Sequence, residues 1–412
     1  MRRLAKTLIA GTVLVIQAIP ALNPVATSQS TVNNNQVQLG DVFSTQTLNV
    51  VDVSDSTTAT TSASGNTVSS SVVSGSLNVQ SSQTMSGSAN ASTTVNVTTN
   101  AGAQTTLNTS ALGNGSDVGS FEGGPVTGAV SQTTGPGITL AGGNFNAYGA
   151  QTGAATLNVQ AIANSHGVTV SDTSANTTAT QTSTGQTEAD GAAVLGYTAG
   201  TVAGAATGIS NNLTGAGSGN ASQTLTATQS MTGDYTQATQ SLGVGNGQAV
   251  QSTATATANN IYVTNENGPA AVTDSQTNTG QVIALSTGSA SEFGAAQSGS
   301  EAIGNSVLVG NAGPSTDLDN TQTNSGGVTS NASFTGNTGF DASTTATAMG
   351  NAVTGFSCSD CGGTVNIQNS QTSGAGVQAT STLDITGANR SVSGSAVAVG
   401  NNATFYVSKP SH

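Results

Sequence analysis

Small apolar and hydroxyl-bearing side chains alternate along much of this chain. The runs 253–258 (TATATA), 93–98 (TTVNVT) and 395–399 (SAVAV) repeat with a period of two. That period places alternate side chains on opposite faces of a strand, and the β-branched residues Thr and Val favour strands. Gly and Asn separate the runs, as they do at turns that need a positive φ. No stretch beyond residue 25 has a convincing helical period, so the pattern predicts an all-β protein.

A second, longer period is set by asparagines that end the signature Ala-x-Gly-Asn or a variant of it. The gaps between successive copies are 48, 50, 47, 48, 46, 46 and 50 residues. A fixed period of this size is typical of stacked repeat architectures. The copies near residues 211 and 259 are blurred, and we expect the fold to be least regular there. The eight repeat positions are Asn66, Asn114, Asn164, Asn211, Asn259, Asn305, Asn351 and Asn401.

The dipeptide Gln-Thr follows about the same period with looser spacing, and its gaps range from 37 to 53 residues. Two markers with a common period make a chance origin improbable, and together they predict about eight repeats. The glutamines of this marker are Gln46, Gln83, Gln132, Gln181, Gln223, Gln276, Gln322 and Gln371.

The composition indicates a thin interior. Aromatic residues are 3% and charged residues 6% of the 412 residues, far below the usual charged share of about 25%. Small side chains suit an elongated β-solenoid (β-helix), whose coils stack about 4.8 Å apart. We therefore assign residues 41–412 to a solenoid domain of about eight repeats of ~48 residues. Each repeat is expected to form two coils of about 24 residues or three of about 16, giving a rod of roughly 75–115 Å. The repeated asparagines fit either a stacked amide ladder or left-handed turn positions.

The amino terminus resembles a secretion signal. Arg2, Arg3 and Lys6 precede an apolar stretch from Leu8 to Ile19, which is too short to span a membrane. Residues 1–26 are therefore predicted to be a signal peptide. Residues 27–40 form a polar lead rich in Asn and Gln, either a frayed terminus or a recognition tail for an exporter.

Removal of the signal peptide would make the chain strongly acidic. The formal charge changes from −13 to −16, and Arg390 and Lys409 are the basic residues that remain. Nucleic acids and anionic membranes are bound through clustered cations, so neither is an expected partner. The same charge leaves polycationic and neutral partners open and also favours solubility.

The chain offers little catalytic chemistry. Cys358 and Cys361 have the C-x-x-C spacing of redox motifs, but they lie in a glycine-rich connection without a neighbouring basic group. In an exported protein we interpret them as a small disulfide loop. The acidic residues lack the spacing of a calcium loop, and no nucleophile elbow or phosphate-binding loop is present. We therefore predict no catalytic residue, no metal site and no cofactor.

Two bacterial families provide resemblances. The segment Ser241–Gln251 (SLGVGNGQAVQ) resembles one repeat of the curlins, the subunits of amyloid fimbriae, although curlin repeats are about half as long. In its leader, its size and its Ser/Thr/Gly/Asn-rich repeats, the whole chain is similar to the holdfast anchor protein D family of stalked alphaproteobacteria. This resemblance implies a non-enzymatic, exported protein of the outer-membrane surface, which joins an adhesive polysaccharide to the cell.

The same resemblance implies the partners: the cell-surface polysaccharide, other anchor proteins and a curli-type outer-membrane exporter, with self-association possible. Two other functions stay open from the residues. A curlin-like chain would be an amyloid-like subunit of the biofilm matrix, and a β-helix with an acid/base pair would be a polysaccharide-processing enzyme. The second alternative is the weaker, because such enzymes need basic residues to bind acidic glycans.

Overall fold

The computed structural model describes residues 29–358 and 363–408, and every element in them is a β-strand. The strands in chain order are β1 (Gln29–Gln38), β2 (Val42–Asp52), β3 (Ser56–Val73), β4 (Ser76–Met85), β5 (Ala89–Asn100), β6 (Gln104–Phe121), β7 (Val126–Thr134), β8 (Ile138–Thr152), β9 (Ala154–Ser171), β10 (Ser174–Ser183), β11 (Gln186–Ser218), β12 (Ser222–Met231), β13 (Tyr235–Asn265), β14 (Ala270–Asn278), β15 (Gln281–Asn311), β16 (Ser315–Asn324), β17 (Val328–Cys358), β18 (Thr364–Ser373), β19 (Val377–Ile385) and β20 (Ser391–Ser408).

The strands stack in parallel as the predicted β-solenoid. Each coil has three faces, which we call A, B and C in chain order. Face A is the sheet β1-β4-β7-β10-β12-β14-β16-β18. Face B begins with β2, β5 and β8, and face C with β3, β6 and β9. In coils 4 to 7 the strands β11, β13, β15 and β17 run through both B and C, and β19 and β20 complete coil 8. The predicted all-β solenoid is confirmed.

Each repeat forms one coil, so the prediction of two or three coils per repeat is wrong. Asn66 lies beside Asn114, and Asn305 lies beside Asn351, at separations of one full sequence period. The eight strands of face A therefore span about 34 Å along the axis, less than half of the expected rod. The coil is wide because faces A and B both pack against the long face C. A single coil thereby uses the residues that two smaller coils would have needed.

Two apolar compartments lie side by side within each coil. One compartment lies between face B and the first half of face C, and it includes Phe145 and Leu157. The other lies between face A and the second half of face C, with Leu225 and Ile261 in the later coils. The early coils fill the same second compartment with a separate cluster that includes Leu77. Alternating strands of small residues suffice because neither compartment is more than a few side chains wide.

The predicted boundaries at the amino terminus meet the structure in part. Residues 29–38, which their composition assigns to a polar lead, form β1 and pair with β4 along their whole length. The stack therefore begins within the predicted lead and before residue 41. The predicted signal peptide, residues 1–26, lies outside the described residues. No helix in the described part of the chain has the length and hydropathy that a membrane crossing requires.

Candidate functional site

A row of eight asparagines follows face C between the two compartments. The Nδ2 atom of each donates to the Oδ1 atom of the next, over 2.7–2.9 Å. The same nitrogen also donates to a backbone oxygen of face A, as from Asn259 to Thr277 at 2.9 Å. In the part of the chain that the structure describes, the non-glycine residues with positive φ are Ser74, Glu122 and Asp172, so the asparagines do not take left-handed turn positions. The amide ladder comprises all eight repeat positions: Asn66, Asn114, Asn164, Asn211, Asn259, Asn305, Asn351 and Asn401.

A row of eight glutamines on face A forms a second ladder opposite the first. Here each Nε2 atom donates to the Oε1 atom of the preceding coil at 2.7–2.9 Å, so the two ladders have opposite directions. The second proton of each amide is donated to a backbone oxygen of face C, as from Gln276 to Ser306 at 3.0 Å. We call the two rows together the polar seam. Its glutamines are Gln36, Gln83, Gln132, Gln181, Gln229, Gln276, Gln322 and Gln371.

Two residues of the Gln-Thr marker are not part of the seam. Gln46 accepts a hydrogen bond from Thr61 on another part of the coil, and Gln223 donates to the backbone of Thr264. The seam instead uses Gln36 and Gln229, which are not followed by Thr. Spacing identifies these two residues in the sequence. With Gln36 in place of Gln46 and Gln229 in place of Gln223, every gap between successive glutamines lies within 46–49 residues.

The seam is regular where the sequence predicts irregularity. Asn211 donates to Asn259 at 2.8 Å, and Asn259 donates to Asn305 at 2.7 Å, so the blurred copies are ordinary members of the ladder. The expectation that the fold is least regular at Asn211 and Asn259 is therefore wrong. The register shifts lie at the corner between faces B and C, for example between Thr198 and Thr201. Regular hydrogen bonding fixes the seam, whereas the corner is free to vary.

The corner between faces B and C carries an open groove of about 480 Å³ that crosses coils 4 to 7. Its axis follows the register row Tyr197, Asn246, Glu292 and Thr338. Tyr197 is 53% exposed and lies at one end, and Phe340 is 63% exposed at the other. Three coil spacings separate these ends, about 14 Å. The arrangement places two exposed rings beside amide, hydroxyl and carboxylate groups within a concave surface.

The floor of the groove is kept low by small residues. Phe293 is only 5% exposed, and its ring packs edge to face on Phe334 with a centroid distance of 5.2 Å. A Cβ atom on Gly339 would lie 2.2 Å from the Phe293 ring, so a larger residue there would displace the ring. Gly247 lies beside Phe293 in the preceding coil. Gly339 thus leaves room for the buried Phe293 ring at the corner.

One wall of the groove is stiffened by the last coil. The guanidinium carbon of Arg390 lies 5.8 Å from the centroid of the Phe340 ring, within the range of a cation–π interaction. The Nε atom of Arg390 also donates to Oδ1 of Asp341 at 3.0 Å. This hydrogen bond lowers the pKa of the Asp341 carboxyl from its usual value. Arg390 therefore contacts both the exposed Phe340 ring and the neighbouring Asp341.

The perturbed titratable groups do not converge on a catalytic or metal centre. Burial lowers the pKa of His166 to about 4, while its Nδ1 atom lies 3.2 Å from the backbone oxygen of Ser116. Burial raises the pKa of Asp274, and the nearby charge of Asp319 adds to this effect. Burial, and then Glu188, raise the pKa of Asp190. Within residues 29–358 and 363–408, no group of three His, Cys, Asp or Glu side chains is placed to hold a metal ion.

The predicted disulfide lies at the junction of coils 7 and 8. Cys358 ends β17 and is buried, whereas Cys361 lies outside the described residues. The pairing of Cys358 with Cys361 stays a prediction. The curlin-like segment Ser241–Gln251 lies within β13 and supplies part of the groove floor in coil 5.

Sequence reasoning missed the groove. A signal was present, because Tyr197, Phe293 and Phe340 are separated by 96 and 47 residues, about two periods and one. The row is interrupted in coil 5, where Asn246, Gly247 and Gln248 line the groove.

One of three comparisons with known proteins matches this chain to a family. Neither a curated protein nor a solved structure shows significant similarity to it. The family model described as holdfast attachment protein D matches residues 51–327, about two thirds of the 412 residues. The match includes coils 2 to 6 in full, with most of the seam and three of the four coils that form the groove. The chain therefore belongs to the holdfast attachment protein D family, which implies a role in holdfast attachment.

Proposed function

We propose that this protein is an exported, non-enzymatic component of the outer-membrane surface that anchors an adhesive polysaccharide to the cell. The proposal rests on membership of the holdfast attachment protein D family, since the family is described by a role in holdfast attachment. The leader-like residues 1–26 support export. A curli-type exporter and other anchor proteins are the proposed partners in the envelope.

The groove is the proposed polysaccharide site. Sugar rings present apolar C–H faces that stack on aromatic rings, while their hydroxyl groups bond amides and hydroxyls. Tyr197 and Phe340 supply two exposed rings, and Asn246, Gln248 and Thr338 supply polar groups between them. The groove is open along the solenoid axis, which suits a polymer that continues beyond the site. Weak contacts repeated along a polymer become strong through effective concentration.

Glu292 gives the groove a negative charge. Arg390, the one Lys or Arg among the described residues, forms a salt bridge with Asp341. A glycan with free amino groups would therefore be attracted by the groove and by the acidic chain as a whole. Retention of such a glycan should weaken as added salt screens the charges. Retention that does not change with salt would remove the electrostatic part of the proposal and leave the stacking part intact.

The test of the whole proposal replaces the two exposed rings in the cell. We expect cells without the gene to shed adhesive polysaccharide into the medium. We expect a Tyr197→Ser/Phe340→Ser variant to be exported at the normal level and to cause the same shedding. Tyr262→Ser is the matched control, because Tyr262 is exposed at 46% on a surface outside the groove. Normal retention of adhesive by the double variant would contradict the groove as the binding site. Normal retention by cells lacking the gene would contradict the anchoring function itself.

A further inference from the structure

Among the described strands, those at both ends of the stack have one edge without a partner strand. In coil 1, β1, β2 and β3 pair only with β4, β5 and β6 on their inner side, among the strands described. In coil 8, β18, β19 and β20 pair only with β16 and β17. Parallel edges with free N–H and C=O groups are templates for a further strand. The inner side chains of these coils are also left partly uncovered, among them Leu48 in coil 1 and Leu383 in coil 8.

The two end coils match each other residue by residue. Coil 1 spans residues 29–73 and coil 8 spans residues 364–408, so both contain 45 residues. Thirty residues separate Gln36 from Asn66, and thirty separate Gln371 from Asn401. Face B starts six residues after the glutamine in both coils, at residues 42 and 377. A constant offset of 335 therefore superposes every strand start and both rungs of the seam.

The terminal rungs of the seam are complementary in hydrogen bonding. At the first coil, Gln36 has one amide proton left after it donates to Thr67, and the Oδ1 of Asn66 accepts no hydrogen bond within the described residues. At the last coil, the Oε1 of Gln371 accepts none there either, and Asn401 has a spare amide proton. The end of one copy thus offers the acceptor that Gln36 needs and the donor that Asn66 needs.

The remaining inner positions agree with the same offset. Val42 falls opposite Val377, and Leu48 falls opposite Leu383; all four residues border the first apolar compartment. Asp55 falls opposite Arg390, the one Lys or Arg among the described residues. Stacking would place like side chains over like in the interior and opposite charges at the corner. A chemically unrelated protein would not reproduce this set of coincidences, so the occupant that fits is a second copy.

We propose that the two ends of this solenoid bind each other head to tail, so that the chain assembles into a filament with a continuous polar seam. The contact is heterologous, because it uses different surfaces of the two copies, and each added copy continues the stack along its axis, so the contact produces an open filament and not a closed ring. Each junction adds one Asn–Asn and one Gln–Gln hydrogen bond and covers the uncovered side chains of two coils. This proposal does not depend on the glycan site, which lies on the side of the stack.

Directed disulfides test the junction and its register. Thr47 and Thr382 are exposed, outward-facing residues of β2 and β19 that fall opposite each other at the offset of 335. In adjacent parallel strands their Cα atoms would be about 4.8 Å apart, within disulfide range. Within one chain the two residues lie at opposite ends of the stack. We expect the Thr47→Cys/Thr382→Cys variant of the mature chain to form a ladder of covalent multimers on oxidation.

Three controls decide the outcome on a non-reducing gel. The unmodified chain measures any cross-linking by Cys358 and Cys361. Each single cysteine variant should give no ladder, and covalent dimers from a single variant would indicate head-to-head pairing and overturn the proposal. The Thr47→Cys/Gln378→Cys variant places the second thiol four residues, about 13 Å, out of register. A ladder as strong from this pair would show random collision and overturn the proposal too.

A second measurement concerns assembly without cross-links. Leu383→Lys introduces a charge on the inner side of the last coil, whereas Thr382→Lys introduces the same charge on its outer side. We expect sedimentation velocity of the unmodified chain and of Thr382→Lys to show a concentration-dependent series of species. Leu383→Lys should need at least a tenfold higher protein concentration to form the same assembled species, with an unchanged circular dichroism spectrum. A folded Leu383→Lys variant that assembles normally would contradict the junction.

Discussion

The polar seam and the groove occupy the same coils, and they are built in opposite ways. In the seam each coil contributes the same two residue types, and every rung is hydrogen-bonded in the same manner. In the groove each coil contributes a different residue: Tyr197, then Asn246, then Glu292, then Thr338. Repetition suits a seam because each buried amide needs the same partners above and below. Variation suits a surface that must recognise one partner.

The largest effect is expected from removing one rung in the middle of the seam. In Asn211→Ala, the amide of Asn164 loses its acceptor, and the Oδ1 of Asn259 and the backbone oxygen of Ser230 each lose a donor. All of these groups are buried, so the free energy of unfolding should fall by about 3–5 kcal/mol. Chemical denaturation followed by circular dichroism measures the change.

Asn212→Ala is the matched control, because it removes the neighbouring, partly exposed amide that accepts one hydrogen bond from Asn260. Its loss should lower the free energy of unfolding by less than about 1 kcal/mol. Asn401→Ala should also have a small effect, since this terminal rung is exposed. Equal losses for Asn211→Ala and Asn212→Ala would show that the buried seam contributes no more than surface amides.

This contrast also explains how far the sequence predicts the molecule. The asparagine row can be recognised in the sequence, because each asparagine must lie beside its equivalent in the next coil, which fixes a period of 46–50 residues. The width of the coil was not readable, since the same alternation of small residues fits one wide coil or several narrow ones. The groove was harder to predict, because its aromatic residues Tyr197, Phe293 and Phe340 recur near the repeat spacing but are interrupted in coil 5. The spacing alone does not show that they line an open corner.

The next largest change in stability is expected from removing the buried charge of Asp274, which lies in β14 on face A. The side chain of Asp274 is almost fully buried. Its Oδ2 atom lies 2.8 Å from the side-chain amide of Asn320. Burial raises the pKa of Asp274 above its usual value. The folded state therefore binds this proton more tightly than the unfolded state, and the associated stability is present below about pH 4 and lost as the pH rises through the folded pKa.

Asp274→Asn removes the buried charge and keeps the shape, so at pH 7 the free energy of unfolding should rise by about 1–2 kcal/mol. The gain should disappear near pH 4, where the aspartate is protonated in the native protein. Thermal melts of both proteins between pH 4 and pH 8 measure the difference. Asp317→Asn, at an exposed position on the neighbouring strand β16, is the control and should show no such trend. A gain that is the same at both pH values would mean that the charge of Asp274 is not its source.

The smallest effect on stability is expected from the groove itself. Tyr197 is half exposed, and its neighbours in the register row are the polar residues Gln151 and Asn246, so Tyr197→Ser should change the free energy of unfolding by less than about 0.5 kcal/mol. Phe293→Ser is the contrasting variant, because this buried ring packs on Phe334 and should contribute several times as much. Denaturation of both variants, together with their retention of the polysaccharide, separates recognition from folding. A large loss of stability in Tyr197→Ser would place the exposed ring among the residues that hold the coils together. The contrast between a regular seam that stabilises and a variable corner that recognises would then fail at that residue.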